Sequence, residues 1–212
     1  MGKRSVSAVI LAGGNSRRMG KNKALLELGS ETMIERVVNS LRSIFNEIII
    51  VTNNPEEYPM LNNVRFVKDF EELNTRSSLV GLYSGLYAAK NNYIFAVACD
   101  MPLLNIPLIS FMKNKIKNQD IIIPYIDGFY EPLHAFYSKN CLHPMKSQLD
   151  KRDFKILNFF SRVDIIETIN SNTIRKYDPH LNSFLNINNY KEYLEFKNTY
   201  MNIISYNCSN EF

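Results

Sequence analysis

Three runs of this chain, Val6 to Leu11, Glu47 to Thr52 and Tyr93 to Ala98, are apolar nearly throughout and lack the in–out alternation of a half-exposed strand. Runs of this length, rich in Val and Ile, suit strands buried on both faces. Such strands need helices above and below them, which is the arrangement of a parallel sheet. Helical patterns fill the gaps. Thr32 and Glu35 form a Thr-x-x-Glu capping box, and Met33, Ile34, Val37, Val38, Leu41, Ile44 and Phe45 follow at helical spacing, which predicts a helix over 32–45. Val64 to Lys68 reads as a third, shorter strand ending at Asp69. Leu79 to Lys90 reads as a helix despite Gly81 and Gly85. Each glycine there costs roughly 1 kcal/mol of helix propensity, so close packing or ligand contact is implied.

Further on, 106–117 reads as an amphipathic helix, 120–125 as a strand, Asp127-Gly128 as a turn and 132–137 as the strand that pairs after it. Residues 140–160 read as helical segments and 163–169 as a strand. Asn188 or Asn189 is positioned to cap a last helix over about 190–200. Strands alternating with helices predict an α/β fold: a three-layer α/β/α sandwich around a Rossmann-like, mostly parallel twisted sheet. We expect one domain over 1–200, with residues 201–212 as a flexible tail.

In such sheets ligands sit beyond the carboxyl ends of the strands. Here those ends carry Gly13-Gly14, Asn53, Asp69 and Asp100. After the two glycines come Arg17, Arg18, Gly20, Lys21 and Lys23. Backbone N–H groups in a glycine turn make an anion-binding concavity, and nearby cations supply full charge. The loop is neither a Walker P-loop, since no G-K-[ST] closes it, nor a G-x-G-x-x-G turn. The net charge of +4 is mild, and much of the excess sits in this loop. That favours one acidic ligand over a nucleic-acid face. Cys99, Cys141 and Cys208 form no CxxC pair, so neither a zinc ribbon nor a dithiol motif is supported. The apolar run near the start is too short for a signal-peptide core or a membrane span, and a cytoplasmic protein is expected.

Read singly, several of these residues have two meanings. Gly13 and Gly14 serve a tight turn as readily as a ligand. Asn53, in Thr-Asn-Asn-Pro, is a natural turn residue, with hydrogen bonding to a base or ribose as the second option. Asp69 is equally a strand terminator, a second metal ligand or a ribose contact. Asp100, a carboxylate directly after a buried strand, has the weakest structural alternative and suits a divalent cation arriving with phosphates. His134 sits among apolar neighbours, where a lone histidine is usually structural. Asn186 and Asn188 flank Ile187 and so share a face.

The series LAGG-x-x-RRMG-x-x-K, TNN, KD and CD-x-P, with EPLHAFY at 131–137 and FLNINNYKEY at 184–193, resembles the sugar-nucleotide type of nucleotidyltransferase. It is most similar to the molybdenum cofactor guanylyltransferases. Relatives that use CTP or UTP tend to carry LAAG, so Gly13 in LAGG leans towards guanine. One departure stands out: the family's Gly-Pro-Leu-x-Gly is Ser77-Ser78-Leu79-Val80-Gly81 here.

The resemblance implies a Mg²⁺-dependent enzyme that moves GMP from GTP to the terminal phosphate of molybdopterin, with residues up to about 105 holding the nucleotide and 106–200 the acceptor. Leu11, Ala12, Gly13 and Gly14 would meet guanine and ribose through the main chain. Asn53, Asp69 and Gly81 would line the nucleoside site. Lys23 and Arg17 would hold phosphates, Asp100 would bind Mg²⁺, and Asn186 and Asn188 would face the pterin. GTP and molybdopterin are the expected partners, with transient contacts to other cofactor-biosynthesis or molybdoenzyme-maturation proteins, and no nucleic acid or membrane. The alternatives are a relative using CTP or UTP with molybdopterin or a sugar or alcohol phosphate, and a non-catalytic nucleotide-binding module.

Overall fold

The computed structural model describes residues 5–13, 22–70, 75 and 77–208, with the backbone alone at 200–208. The chain runs through β1 (Val6–Leu11), a 3-10 turn at Lys23–Leu25, a small hairpin of β2 (Glu27–Leu28) and β3 (Glu31–Thr32), α1 (Met33–Arg42), β4 (Glu47–Val51), β5 (Arg65–Val67), α2 (Ser78–Ala88), β6 (Tyr93–Ala98) and α3 (Ile106–Asn114). It continues with β7 (Ile121–Ile126), β8 (Phe129–Tyr130), β9 (His134–Ser138), α4 (Leu142–Leu149), β10 (Ile166–Asn170), α5 (Ser171–Ile174) and α6 (Tyr190–Cys208).

The main sheet has the order β10-β7-β9-β6-β1-β4-β5, with β8 attached to β7. β6, β1, β4 and β5 are parallel neighbours. β9 lies antiparallel between β6 and β7, and β10 is parallel to β7. The two-sided burial read from the sequence is literal. Ala8, Ile10, Ile48, Ile50, Phe95 and Val97 pack under α1 and α3 on one face. Val9, Ile49, Val51, Ile94 and Ala96 pack under α2 and α4 on the other.

The helix signals hold in detail. Thr32 Oγ1 accepts from the Glu35 N–H, and Glu35 Oε2 accepts from the Thr32 N–H at 2.8 Å, completing the capping box. Ser77, where the family pattern has a Gly-Pro pair, is the N-cap of α2 and accepts from the Val80 N–H at 3.2 Å. The two glycines of α2 have different reasons. A Cβ at Gly85 would lie 2.3 Å from Val9 Cγ1 and 3.1 Å from Val51 Cγ2, so this turn of the helix presses directly on β1 and β4. At Gly81 the nearest atoms would be Leu11 Cδ2 at 3.3 Å and Asp69 Oδ1 at 3.6 Å.

The second half departs from expectation in two places. The Asp127-Gly128 turn leads into the two-residue β8, and the strand that follows begins at His134 and pairs with both β6 and β7. A 3-10 turn at Asn182–Phe184 leads into the segment that carries Asn186 and Asn188. Asn189 caps the last helix, accepting from the Glu192 N–H at 2.9 Å, and α6 continues to Cys208, beyond residue 200. No helix among the described residues is long and apolar enough to cross a membrane.

Candidate active site

The parallel register fixes where the site lies. Leu11 stands opposite Val51 and Ala98, and Val51 stands opposite Val67. Two residues beyond Leu11, Val51, Ala98 and Val67 come Gly13, Asn53, Asp100 and Asp69. All four therefore lie at one level along the sheet edge. The chain leaves β1 towards β4 and β5, then returns to β6 on the opposite side. The switch point falls between β1 and β6, where open α/β sheets hold their ligands.

On one side of this edge Lys23 Nζ lies 3.2 Å from Asp100 Oδ2, with both side chains largely buried. Lys23 also donates to the Ile187 carbonyl at 3.3 Å, and the Ile187 N–H donates to the Asp100 carbonyl at 3.1 Å. Residues 77 and 164 positions apart in sequence are thus tied to one lysine. Because Ile187 is buried and Asn186 and Asn188 are exposed, pinning residue 187 carries both amides to this edge. Cys99, beside them, is no nucleophile: desolvation, and then the Asp100 charge, push its thiol up to about 12.

On the other side Asn53 and Asp69 pair reciprocally. Asn53 Nδ2 donates to Asp69 Oδ2 at 2.8 Å, and the Asp69 N–H donates to Asn53 Oδ1 at 3.0 Å. Asn53 therefore orients Asp69, a role distinct from the turn and ligand alternatives read from sequence. The Asp69 carboxylate lies between Gly13 and Gly81, with Oδ2 3.7 Å from where a Gly13 Cβ would stand. This is the α2 side of the sheet, whereas Lys23 and Asp100 meet beside β6. Oxygen ligands of one magnesium ion must converge to about 3 Å of one another. Asp69 follows β5 and Asp100 follows β6, with β1 and β4 between them, which speaks against both carboxylates binding one metal ion.

The main chain of Leu11 and Ala12 is less available than expected. The Leu11 carbonyl accepts from the Cys99 N–H, and the Ala12 N–H donates to the Val51 carbonyl. Gly13 makes no backbone hydrogen bond among the described residues. Gly14 and Arg17, expected to touch the nucleotide, lie outside the described residues, as do Arg18 and Lys21.

Sequence reasoning missed a clamp. Asn22 caps the Lys23–Leu25 turn, accepting from the Ala24 N–H at 3.1 Å. Its Nδ2 donates to Glu57 Oε2 at 2.5 Å and to the Tyr58 hydroxyl at 2.8 Å. The Tyr58 hydroxyl donates in turn to the Ala12 carbonyl at 3.4 Å. Desolvation pushes the Tyr58 phenol up to about 12, so it stays a donor. The residues on either side of the basic loop are thus held to one buried tyrosine. An Asn directly before Lys23 was the only sequence signal for it.

His134 is fully buried with no hydrogen bond on either ring nitrogen among the described residues, its ring packed against Phe95 and Phe184. Burial lowers its pKa to about 3, against a smaller opposing effect of Asp178. It is a neutral core residue, in keeping with the structural reading. No group of three or more His, Cys, Asp or Glu side chains converges on a metal position among the described residues. The donor set is one carboxylate at the sheet edge, Asp100, with 19% of its side chain exposed, which fits a magnesium ion that keeps several waters. It does not fit a closed metal cage.

Comparison with known proteins follows the same lines. Residues 8–163 match the model of the MobA-like NTP transferase domain. The chain is 46% identical over 187 residues to a "probable molybdenum cofactor guanylyltransferase" of Natranaerobius thermophilus, spanning 87% of this chain and 91% of that one. It is 37% identical to a molybdenum cofactor guanylyltransferase of Desulfosudis oleivorans, covering 87% and 90%. In fold it is similar to molybdopterin-guanine dinucleotide biosynthesis protein A of Archaeoglobus fulgidus, with TM-score 0.77 and 22% identity over 94% of this chain and 99% of that one.

Proposed function

The chain belongs to the MobA-like nucleotidyltransferase family, and on that premise we propose that it transfers GMP from GTP to the terminal phosphate of molybdopterin, releasing pyrophosphate. The observation that carries this reading is the single level of Gly13, Asn53, Asp69 and Asp100 at the switch point, with Lys23 bridging Asp100 to Ile187.

On this reading the α2 side receives the nucleoside. Asn53 presents the Asp69 carboxylate, which accepts from ribose or base, and Gly13 and Gly81 keep that wall free of side chains. Lys23 and Arg17 hold the phosphates. Asp100, with those phosphates and water, would hold Mg²⁺, which when bound neutralises charge on the triphosphate. Asn186 and Asn188 stand where the acceptor enters.

The chemistry asks little else of the protein. The attacking group is a phosphate monoester whose second pKa is about 6, so it is already ionised at neutral pH. No general base is required, consistent with a neutral, enclosed His134 and an inert Cys99. What remains is to align two anions and relieve their repulsion. The test is a panel of GTP, CTP and UTP, each with and without molybdopterin, followed by pyrophosphate release. Release with GTP that depends on molybdopterin is expected. Release with CTP instead, or tight GTP binding with no transfer, would refute the assignment.

A further inference from the structure

The register of β9 extends the ligand edge to the far side of the sheet. Ile121 and Ile122 stand opposite Tyr137 and Phe136, the same residues that face Ile94 and Phe95. Counting three residues on, Tyr125 is level with Ala98, and Asp127 is level with Asp100. The β7–β8 hairpin therefore projects from the edge that carries Asp100. Adjacent strands are about 4.8 Å apart, so two strand positions separate hairpin from Asp100 by roughly 10 Å. That is the reach of a fused heterocycle on a short phosphate arm.

The hairpin is built rigidly and ends in aromatic surface. Asp127 and Gly128 both have positive φ, 50° and 94°, the pattern of a type I′ turn. Tyr125 and Tyr130 stand opposite each other with ring centroids 4.9 Å apart, and Tyr130 sets its edge against Phe160 at 5.8 Å. Phe129, paired with Ile126 on the face opposite to Tyr125 and Tyr130, nevertheless leaves 73% of its surface exposed. Next in the chain is Glu131, half-buried. Its backbone is fixed by the Glu131 N–H to the Pro124 carbonyl and by the His134 N–H to the Glu131 carbonyl, both 3.1 Å. Its carboxylate has no hydrogen-bond or ion-pair partner among the described residues, and desolvation raises its pKa. An aromatic platform beside an unpartnered carboxylate suits a flat ligand that carries adjacent N–H donors.

Resting on the transferase reading above, we infer that the β7–β8 hairpin is the acceptor's heterocycle subsite: Phe129 stacks on the pterin ring, and Glu131, which strand alternation puts on the same face as Phe129, accepts from its 2-amino group and neighbouring ring N–H. The subsite lies on the opposite side of Asp100 from the Asp69 nucleoside wall, so the two substrates would approach the metal position from opposite ends of the edge.

The test uses the full chain and a fluorescent free pterin, 6-hydroxymethylpterin, with Phe129→Ala and Glu131→Gln as variants. Quenching of the pterin by the wild type is expected, weakened about tenfold in each variant, with GTP affinity and melting temperature unchanged. Equal pterin affinity in all three proteins would overturn the subsite. So would GMP transfer whose acceptor KM is the same in all three, and that result would leave the transferase reading intact. Pterin binding that the variants weaken, in a wild type that transfers no nucleotide, would support the subsite and refute the transferase reading.

Discussion

Gly81 and Gly85 sit one helical turn apart on α2, yet the same Gly→Ala change should act on different properties at each. Alanine gains about 1 kcal/mol of helix propensity at either position. At Gly85 the new methyl would stand 2.3 Å from one Val9 methyl carbon and 3.2 Å from the other, with a Val51 methyl at 3.1 Å. Valines are stiff at χ1 and both belong to central strands, so neither swings away. Overpacking of this kind costs about 1–3 kcal/mol, and the contact places Gly85 at the upper end. The net loss is then about 2 kcal/mol, a fall of roughly 4–8 °C in melting temperature for a chain of this size. At Gly81 the nearest atom is the far end of Leu11, at 3.3 Å, which yields by a few tenths of an ångström. Gly81→Ala should therefore melt at or up to about 3 °C above wild type. Its methyl, however, enters the nucleoside wall 3.6 Å from Asp69 Oδ1, and GTP affinity should drop. Thermal unfolding and GTP titration of the two variants decide the matter. A Gly85→Ala protein as stable as wild type would refute the packing argument. Unchanged GTP affinity in Gly81→Ala would remove Gly81 from the nucleotide site.

Three further outcomes are expected. Lys23→Ala loses its bonds to Asp100 and Ile187 and should raise the GTP KM by roughly 10–100-fold, the range for charge-assisted hydrogen bonds; steady-state pyrophosphate release measures this, and an unchanged KM would exclude Lys23 from phosphate binding. Tyr58→Phe removes the hydroxyl shared by Asn22 and Ala12, worth about 1 kcal/mol, and should raise the GTP KM about fivefold with kcat little changed; a fall in kcat alone would count against the clamp. His134 is held neutral, with its pKa down at about 3 from 6.5, so the unfolded chain takes up the proton first as pH falls. Its stabilisation is complete above about pH 6.5 and declines by about 1.4 kcal/mol per pH unit down to about pH 3. Denaturant melts of His134→Leu between pH 6.5 and 5 should therefore show a shallower acid slope, by about 2 kcal/mol over that interval, and a parallel slope would refute this reading.

The site was legible in sequence where burial did the encoding. A strand enclosed on both faces ends in polar or glycine residues at the sheet edge, and Asp100 announced itself as the first carboxylate after such a run, while Asp69 follows the shorter, half-buried edge strand β5. Lys23 stood out as the last cation after a double glycine. The second half was harder to read. His134 to Ser138 has the composition of a hairpin partner, and nothing local indicates that it inserts between β6 and β7 with opposite polarity. Tyr58 was invisible because its role depends on a hydroxyl meeting Asn22 and Ala12 across 36 and 46 residues. Ser77 looked like a departure from the family pattern, yet it starts α2 by capping it, a job for which its hydroxyl suffices.

The bond from Lys23 to the Ile187 carbonyl has a consequence for the order in which the enzyme comes into being. All four residues at the ligand edge leave the ribosome within the first 100 positions, but the residue that closes on Lys23 follows 87 positions after Asp100. A nascent chain that has folded its first half, or a product stopped short of residue 187, would carry Gly13, Asn53, Asp69 and Asp100 and still lack the carbonyl to which Lys23 donates. The hydrogen bonding of Lys23 is therefore completed only when the end of the chain is laid back across its beginning.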